Sequence, residues 1–290
     1  DILKKHDITG IAYKGPLLTY LVYGNLAFRQ FDDIDIFVFP GDVLKTKEVL
    51  ISEGYHSQFS FNPSMEKFYL KSEREFLFST KDNNINLEIH WKSSALSYSF
   101  PDDGKILGGP QNLEEVSFHG FKILNIKPED LLLILCMHCA IHFWDHLGRI
   151  CDISEFIGKY KSMDWDKVID KAKKLEIERI LSINLFLAHD LLGSELPDYF
   201  LQMKSDKDLK NLVLFIKKDI FGGVDSSFRN IKRFIFRYKT REGKMSGIKD
   251  IILILTAPTR EEFKVFKLPA SLHLFYYLIR PFNLIKKIFY

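Results

Sequence analysis

Phe31-Asp32-Asp33-Ile34-Asp35-Ile36-Phe37-Val38-Phe39 sets two carboxylates two residues apart at the head of a β-branched and aromatic run. Side chains alternate along a strand, so Asp33 and Asp35 share one face and Asp32 takes the other. Like charges held that close repel, and the arrangement asks for a cation. Mg²⁺ suits it, taking a few carboxylates together with phosphate oxygens. An Asp-x-Asp pair alone also fits a solvated strand edge, so the rest of the chain must supply further parts.

Upstream, the apolar run Ile8 to Tyr13 ends at Lys14-Gly15-Pro16, after which Leu17, Leu18, Leu21 and Val22 recur at helical spacing. This is strand, tight turn, helix, with Pro16 suited to the first helical position. Gly15 lets a ligand approach the backbone, and the free N–H groups with Lys14 beside them suit a phosphate; a plain connecting turn is the alternative. Arg29 precedes the acidic strand, and Pro40-Gly41 closes it. A helix is expected over Val43 to Glu53, then strands around Tyr55 to Phe61, Lys67 to Leu70 and Glu75 to Ser79. After the turn Lys81-Asp82-Asn83-Asn84, the stretch Ile85-Asn86-Leu87-Glu88-Ile89-His90-Trp91 alternates apolar with polar. Asn86, Glu88 and His90 therefore share a face, and a third carboxylate can pair beside the Asp33/Asp35 strand.

Pro101 to Asn112 reads as a loop, and a hairpin turns at His119-Gly120. From Pro128 the period becomes helical: Pro128 to about His146, Cys151 to Tyr160, Trp165 to Leu175, Glu178 to Leu192, Lys207 to Asp219, Ser226 to Tyr238 and Ile248 to Leu255. The expectation is an α+β protein: a small mixed-sheet domain over 1–126, then an all-helical domain over 127–290.

At 290 residues with 46% hydrophobic and 27% charged, the composition is that of a globular protein. A net charge of +3 argues against nucleic acid as partner. Cys136, Cys139 and Cys151 are odd in number and clustered, which points to a reducing cytoplasm rather than a disulfide framework. The apolar runs Leu131 to Cys136 and Ile251 to Leu255 fall far short of the roughly 20 residues of a membrane-spanning helix. The chain starts at Asp1 without a methionine, so a preceding targeting segment stays open.

Taken together, Lys14-Gly15, Arg29, Asp33-Ile34-Asp35, Leu87-Glu88-Ile89-His90-Trp91 and Pro128-Glu129-Asp130-Leu131-Leu132-Leu133 resemble the DNA polymerase β-like nucleotidyltransferase superfamily. More closely, they resemble its family of uncharacterised bacterial nucleotidyltransferases. The resemblance runs on through His138, His142, Arg149 and Asp152 to Leu268-Pro269 and Arg280-Pro281. It implies a polymerase β-like domain in which Asp33, Asp35 and Glu88 bind Mg²⁺ (or Mn²⁺) and Glu88 takes the acceptor's proton. Lys14, Gly15 and Arg29 would hold the NTP, and His90 would orient a carboxylate or touch substrate. The implied reaction moves a nucleoside monophosphate to a hydroxyl of a small molecule, sugar or peptide. The superfamily has Gly-Ser or Gly-Gly at the turn, whereas Gly15-Pro16 offers neither a hydroxyl nor a second N–H. A kinase-like transfer, or a ligand- or partner-binding module on the same fold, are the alternatives.

Cys136-x-x-Cys139 with His138, His142 and His146 at spacings of four has the look of a zinc site, but the cysteines lie among leucines and read as core. His138, His142, Asp145, Arg149 and Asp152 either line the acceptor cleft or form a polar network between helices. Arg229, Arg233, Arg237 and Arg241 fall at every fourth position, a solvated ridge or a site for an acidic substrate. The tail Leu272 to Tyr290 reads as packing on the helical domain rather than lying on a membrane surface, because Arg280-Pro281 interrupts an amphipathic helix.

Overall fold

The computed structural model describes residues 1–59, 61–82, 85–93, 110–222, 229–266 and 268–289. They divide into two compact units: one runs through Lys127 and takes in Pro269–His273, the other comprises Pro128–Leu268 and Leu274 onward. The architecture is α+β, with strands in the first unit and helices throughout the second.

In the first unit a short helix α1 (Ile2–Lys5) precedes strand β1 (Gly10–Ala12), helix α2 (Gly15–Tyr23), strand β2 (Asp33–Val38) and helix α3 (Val43–Ser52). Strand β3 (His56–Ser57), helix α4 (Pro63–Ser72) and strands β4 (Glu75–Ser79) and β5 (Asn86–His90) follow. These strands form one mixed sheet in the order β1-β2-β5-β4-β3, parallel only between β2 and β5. The acidic strand thus lies near the sheet's middle, where its Ile36 to Val38 half enters the core while Asp33 begins at the rim. Strands β6 (Leu113–Phe118) and β7 (Phe121–Ile126) make a separate hairpin, turned by His119 and Gly120, both at positive φ as a two-residue turn of this hand requires.

The expected strand over Lys67 to Leu70 is instead part of helix α4. The side chain of Asn62 caps it by accepting the Met65 N–H, Pro63 occupies the first turn, and Met65, Tyr69 and Ser72 bury one face at helical spacing. The apolar triplet Phe68-Tyr69-Leu70 hid that period. Of the strand expected over Tyr55 to Phe61, only β3 forms among the described residues.

The second unit contains α5 (Pro128–Ile141), α6 (Leu147–Lys159), α7 (Trp165–Lys174), α8 (Glu178–Leu192), α9 (Asp198–Met203) and α10 (Lys207–Gly222). Then come α11 (Arg229–Thr240), α12 (Lys244–Thr256), α13 (Arg260–Val265) and α14 (Tyr276–Phe289). Helix α5 stops at Ile141 rather than near His146, because Phe143 and Trp144 take positive φ. The buried Trp144 indole then donates to Asn184 of α8 at 2.9 Å, and His146 caps α6 by accepting the Gly148 N–H.

Pro281 lies inside α14 and does not interrupt it, contrary to expectation. An internal proline costs about 3 kcal/mol. Contacts on both sides of it offset that: Arg280 and Asn283 both bind Glu262 of α13, at 3.2 and 3.0 Å. Arg241 is likewise not on a solvated ridge but buried against Asp250. The expected turn at Asn83-Asn84, the loop over 101–109 and the start of the helix expected from Ser226 lie outside the described residues.

Candidate active site

Parallel pairing of β2 with β5 sets Asp35 opposite Glu88 and Asp33 opposite Asn86. Because alternate residues share a face, Asp33, Asp35, Glu88 and His90 come to one side of the sheet. Antiparallel pairing of β4 with β5 brings Glu75 opposite His90. Both strands are apolar between these positions, so the polar groups are fixed by a framework whose other face is core.

Gly15 holds the turn against this strand. Its φ is +55°, and a Cβ there would lie 2.6 Å from the Asp33 carbonyl oxygen, so only glycine permits the approach. That approach delivers Lys14 to Asp35, with Nζ 2.5 Å from Oδ1. Thr19 donates back to the Gly15 carbonyl at 2.9 Å and fixes the first turn of α2.

His90 is the hub of the cluster. Its Nε2 faces Asp35 at 2.9 Å and Glu88 at 3.2 Å, its Nδ1 faces Glu75 at 3.3 Å, and the Tyr13 ring meets it edge-on. The same Glu75 oxygen, Oε2, also accepts from Arg74 Nε at 2.8 Å. Burial alone disfavours an imidazolium here, yet the bonds to Asp35 and Glu88 and the charge of Glu75 hold the His90 pKa above its ordinary value. For Asp35 burial acts to raise the pKa, but Lys14 and His90 outweigh it and hold the carboxyl well below the usual range. At Asp33 the charges of Lys14 and His90 act in the same direction but are outweighed. Burial, then the charges of Asp35 and Glu88, push it up to about 6.

Asp35, Glu88 and His90 offer ligand atoms within 4.8 Å of one another, the one such group among the described residues. Asp33 shares that face but stands outside the group, and burial first, then the charges of Asp35 and Glu88, raise its pKa. Carboxylate oxygens in excess are the donor chemistry of a hard divalent cation, and the residues fit one.

Of the other expected residues, Arg29 stands half-buried at the end of the 3-10 turn Leu26–Phe28 that leads into β2. His138 and His142 pair in the helical unit with ring centroids 4.5 Å apart, Arg149 is ion-paired with Asp145, and Asp152 is buried on α6. Cys136 and Cys139 are core residues, with burial pushing both thiols up. Sequence reasoning missed Glu75, Arg74 and Tyr13. The available signal was an acid opening the otherwise apolar strand Glu75-Phe76-Leu77-Phe78, a residue type seldom buried without a partner.

The chain belongs to a family of nucleotidyltransferases, described as uncharacterised, which matches residues 1–193. Among solved structures it is similar to the lincomycin-bound crystal structure of the lincosamide antibiotic adenylyltransferase LnuA, at 19% identity and a TM-score of 0.36 over 54% of this chain and 90% of that one. It is also similar to the solution structure of the antibiotic-resistance factor ANT(2'')-Ia, at 12% identity and 0.38 over 58% and 81%. Likeness at that level speaks to neither substrate nor mechanism. No curated protein matches the chain.

Proposed function

We propose that the protein transfers a nucleoside monophosphate from an NTP to a hydroxyl of a small-molecule, sugar or peptide acceptor, using Mg²⁺ or Mn²⁺ held by Asp33, Asp35 and Glu88. One observation carries this reading: Asp35 and Glu88 stand in register on adjacent parallel strands, with Lys14 delivered to Asp35 by the Gly15 turn. Bound there, a divalent cation neutralises the triphosphate and lowers the pKa of the attacking hydroxyl.

The chain's own residues do the rest. Glu88, more accessible than Asp35, accepts the acceptor's proton as the oxygen–phosphorus bond forms and pyrophosphate leaves. Lys14, at the start of α2, balances charge on the leaving phosphates alongside the helix N-terminus. His90 acts as a positioning residue, fixing both carboxylates while Glu75 and Arg74 fix it.

The test is incubation of the purified chain with α-labelled NTPs, Mg²⁺ or Mn²⁺ and cell extract. Label should move to a non-nucleotide product, and Asp35→Asn or Glu88→Gln should abolish it. Transfer that survives Asp33→Asn with Asp35→Asn overturns the site. Transfer of γ-label in place of α-label makes the reaction a phosphotransfer.

A further inference from the structure

Helices α12 and α14 pack on each other in the helical unit, yet each leaves an apolar stripe in solvent. On α12 it is Met245, Ile248 and Ile252; on α14 it is Leu278, Phe282 and Ile285, each set spaced three and four residues apart. Met245 is 76% exposed and Phe282 73%. Twelve of the 22 exposed large hydrophobic side chains among the described residues fall between Met245 and Ile285, a concentration that ordinary surface scatter does not produce.

Charge gathers in the same segment. Residues 244–290 carry eight Lys or Arg against three Asp or Glu; with a net charge of +3 overall, the rest of the chain is net acidic. Two of those three acids, Asp250 and Glu262, are buried against Arg241 and Arg280. On α12 the exposed charged side chains are Lys244 and Lys249, on either side of its apolar stripe.

We propose that this face docks on an anionic lipid bilayer, with Met245, Phe282 and their neighbours entering the headgroup region and the lysines meeting lipid phosphates. Apolar stripes with lysines beside them are the chemistry of helices that lie in a membrane interface. A second copy of the chain would bring like-charged rims together, and a nucleic acid would leave the apolar stripes in water. Helices of 13 and 14 residues lie on a bilayer and do not cross it. The inference stands on the helical unit alone and does not depend on nucleotidyl transfer.

Flotation of the whole chain with vesicles tests it, comparing phosphatidylcholine containing phosphatidylglycerol with phosphatidylcholine alone. Partition should be at least about tenfold greater on the anionic vesicles and should fall as salt rises from about 0.1 to 0.5 M, where screening shortens. Two variants, Met245→Ser with Phe282→Ser and Lys244→Gln with Lys249→Gln, should each lose about tenfold while circular dichroism stays unchanged. No flotation, equal flotation on neutral vesicles, or flotation indifferent to both variants overturns the proposal. A lipid-free dimer that Phe282→Ser dissolves also overturns it, assigning the stripes to a second copy.

Discussion

Buried charge occurs in both units, in opposite balance. In the helical unit buried acids and bases meet directly: Asp250 with Arg241 at 3.3 Å, Glu262 with Arg280 at 3.2 Å, and Asp130 with Lys171, while Arg241 also faces Glu176 at 3.8 Å. In the sheet unit Asp33, Asp35, Glu75 and Glu88 gather around Lys14, Arg74 and one imidazole. A balanced pair neutralises itself, whereas an acid-rich cluster carries charge that a further cation would neutralise.

Substitutions at the two places should separate stability from cation binding. Asp250→Asn removes the buried carboxylate facing Arg241 and should cost about 3 kcal/mol in denaturant unfolding, the low end for a broken buried pair because Glu176 stays beside Arg241. Mn²⁺ affinity measured by calorimetry should not change. Asp35→Asn should destabilise by a similar amount through Lys14 and His90, and should also abolish Mn²⁺ binding. Equal Mn²⁺ affinity in both variants would erase the distinction between the two kinds of site.

Gly15→Ala comes next in size. A left-handed alanine costs about 1–2 kcal/mol, and the clash with the Asp33 carbonyl oxygen adds to it. The strand or the turn must then shift, so both thermal stability and Mn²⁺ affinity should drop. Loss of stability with full Mn²⁺ affinity would mean the turn does not place the acids.

Asp33→Asn should act with the opposite sign in metal-free protein. The Asp33 pKa lies near 6 in the fold, above its unfolded value of about 3.9. Its contribution to stability is therefore full below about pH 4 and is lost as pH rises through 6. With chelator at pH 7, Asp33→Asn should be more stable than the parent by about 1 kcal/mol, a figure reduced for its partial exposure. Added Mn²⁺ should reverse that order.

Much of this was legible in the sequence because it rests on short-range pattern. The period-two alternation of Ile85 to Trp91 places Glu88 and His90 on one face, and its pairing with Asp33–Val38 puts Glu88 beside Asp35. The helices after Pro128 follow the 3.6 period closely, Glu178–Leu192 to the residue. What failed depended on context beyond the window. Phe68-Tyr69-Leu70 looks like strand until the Asn62 cap is weighed, and Pro281 looks like a stop until Glu262 is found on both sides of it. Glu75 stood out as an acid in an apolar strand, but its role is set by strand pairing, opposite a histidine fifteen residues away.

The smallest effect belongs to Glu242, an acid in the helical unit that sits between the two kinds of site. It borders a cavity of about 520 Å³ with Arg179, Phe215, Phe236 and Tyr238, and accepts the Arg179 backbone N–H at 2.9 Å. Burial pushes its carboxyl up to about 7, and the charge of Glu178 adds to that, while the Arg179 bond and Arg241 only partly oppose it. With an unfolded value of about 4.3, its contribution to stability is full below about pH 4 and fades as pH rises through 7. Glu242→Gln keeps an oxygen for the Arg179 N–H and removes the titration. The variant should melt about 1–3 °C higher than the parent at pH 8 and no higher at pH 4, the gain being small because Glu242 is partly exposed. Parallel melting curves across that range would show that Glu242 ionises at an ordinary pH, and that it belongs with the balanced pairs.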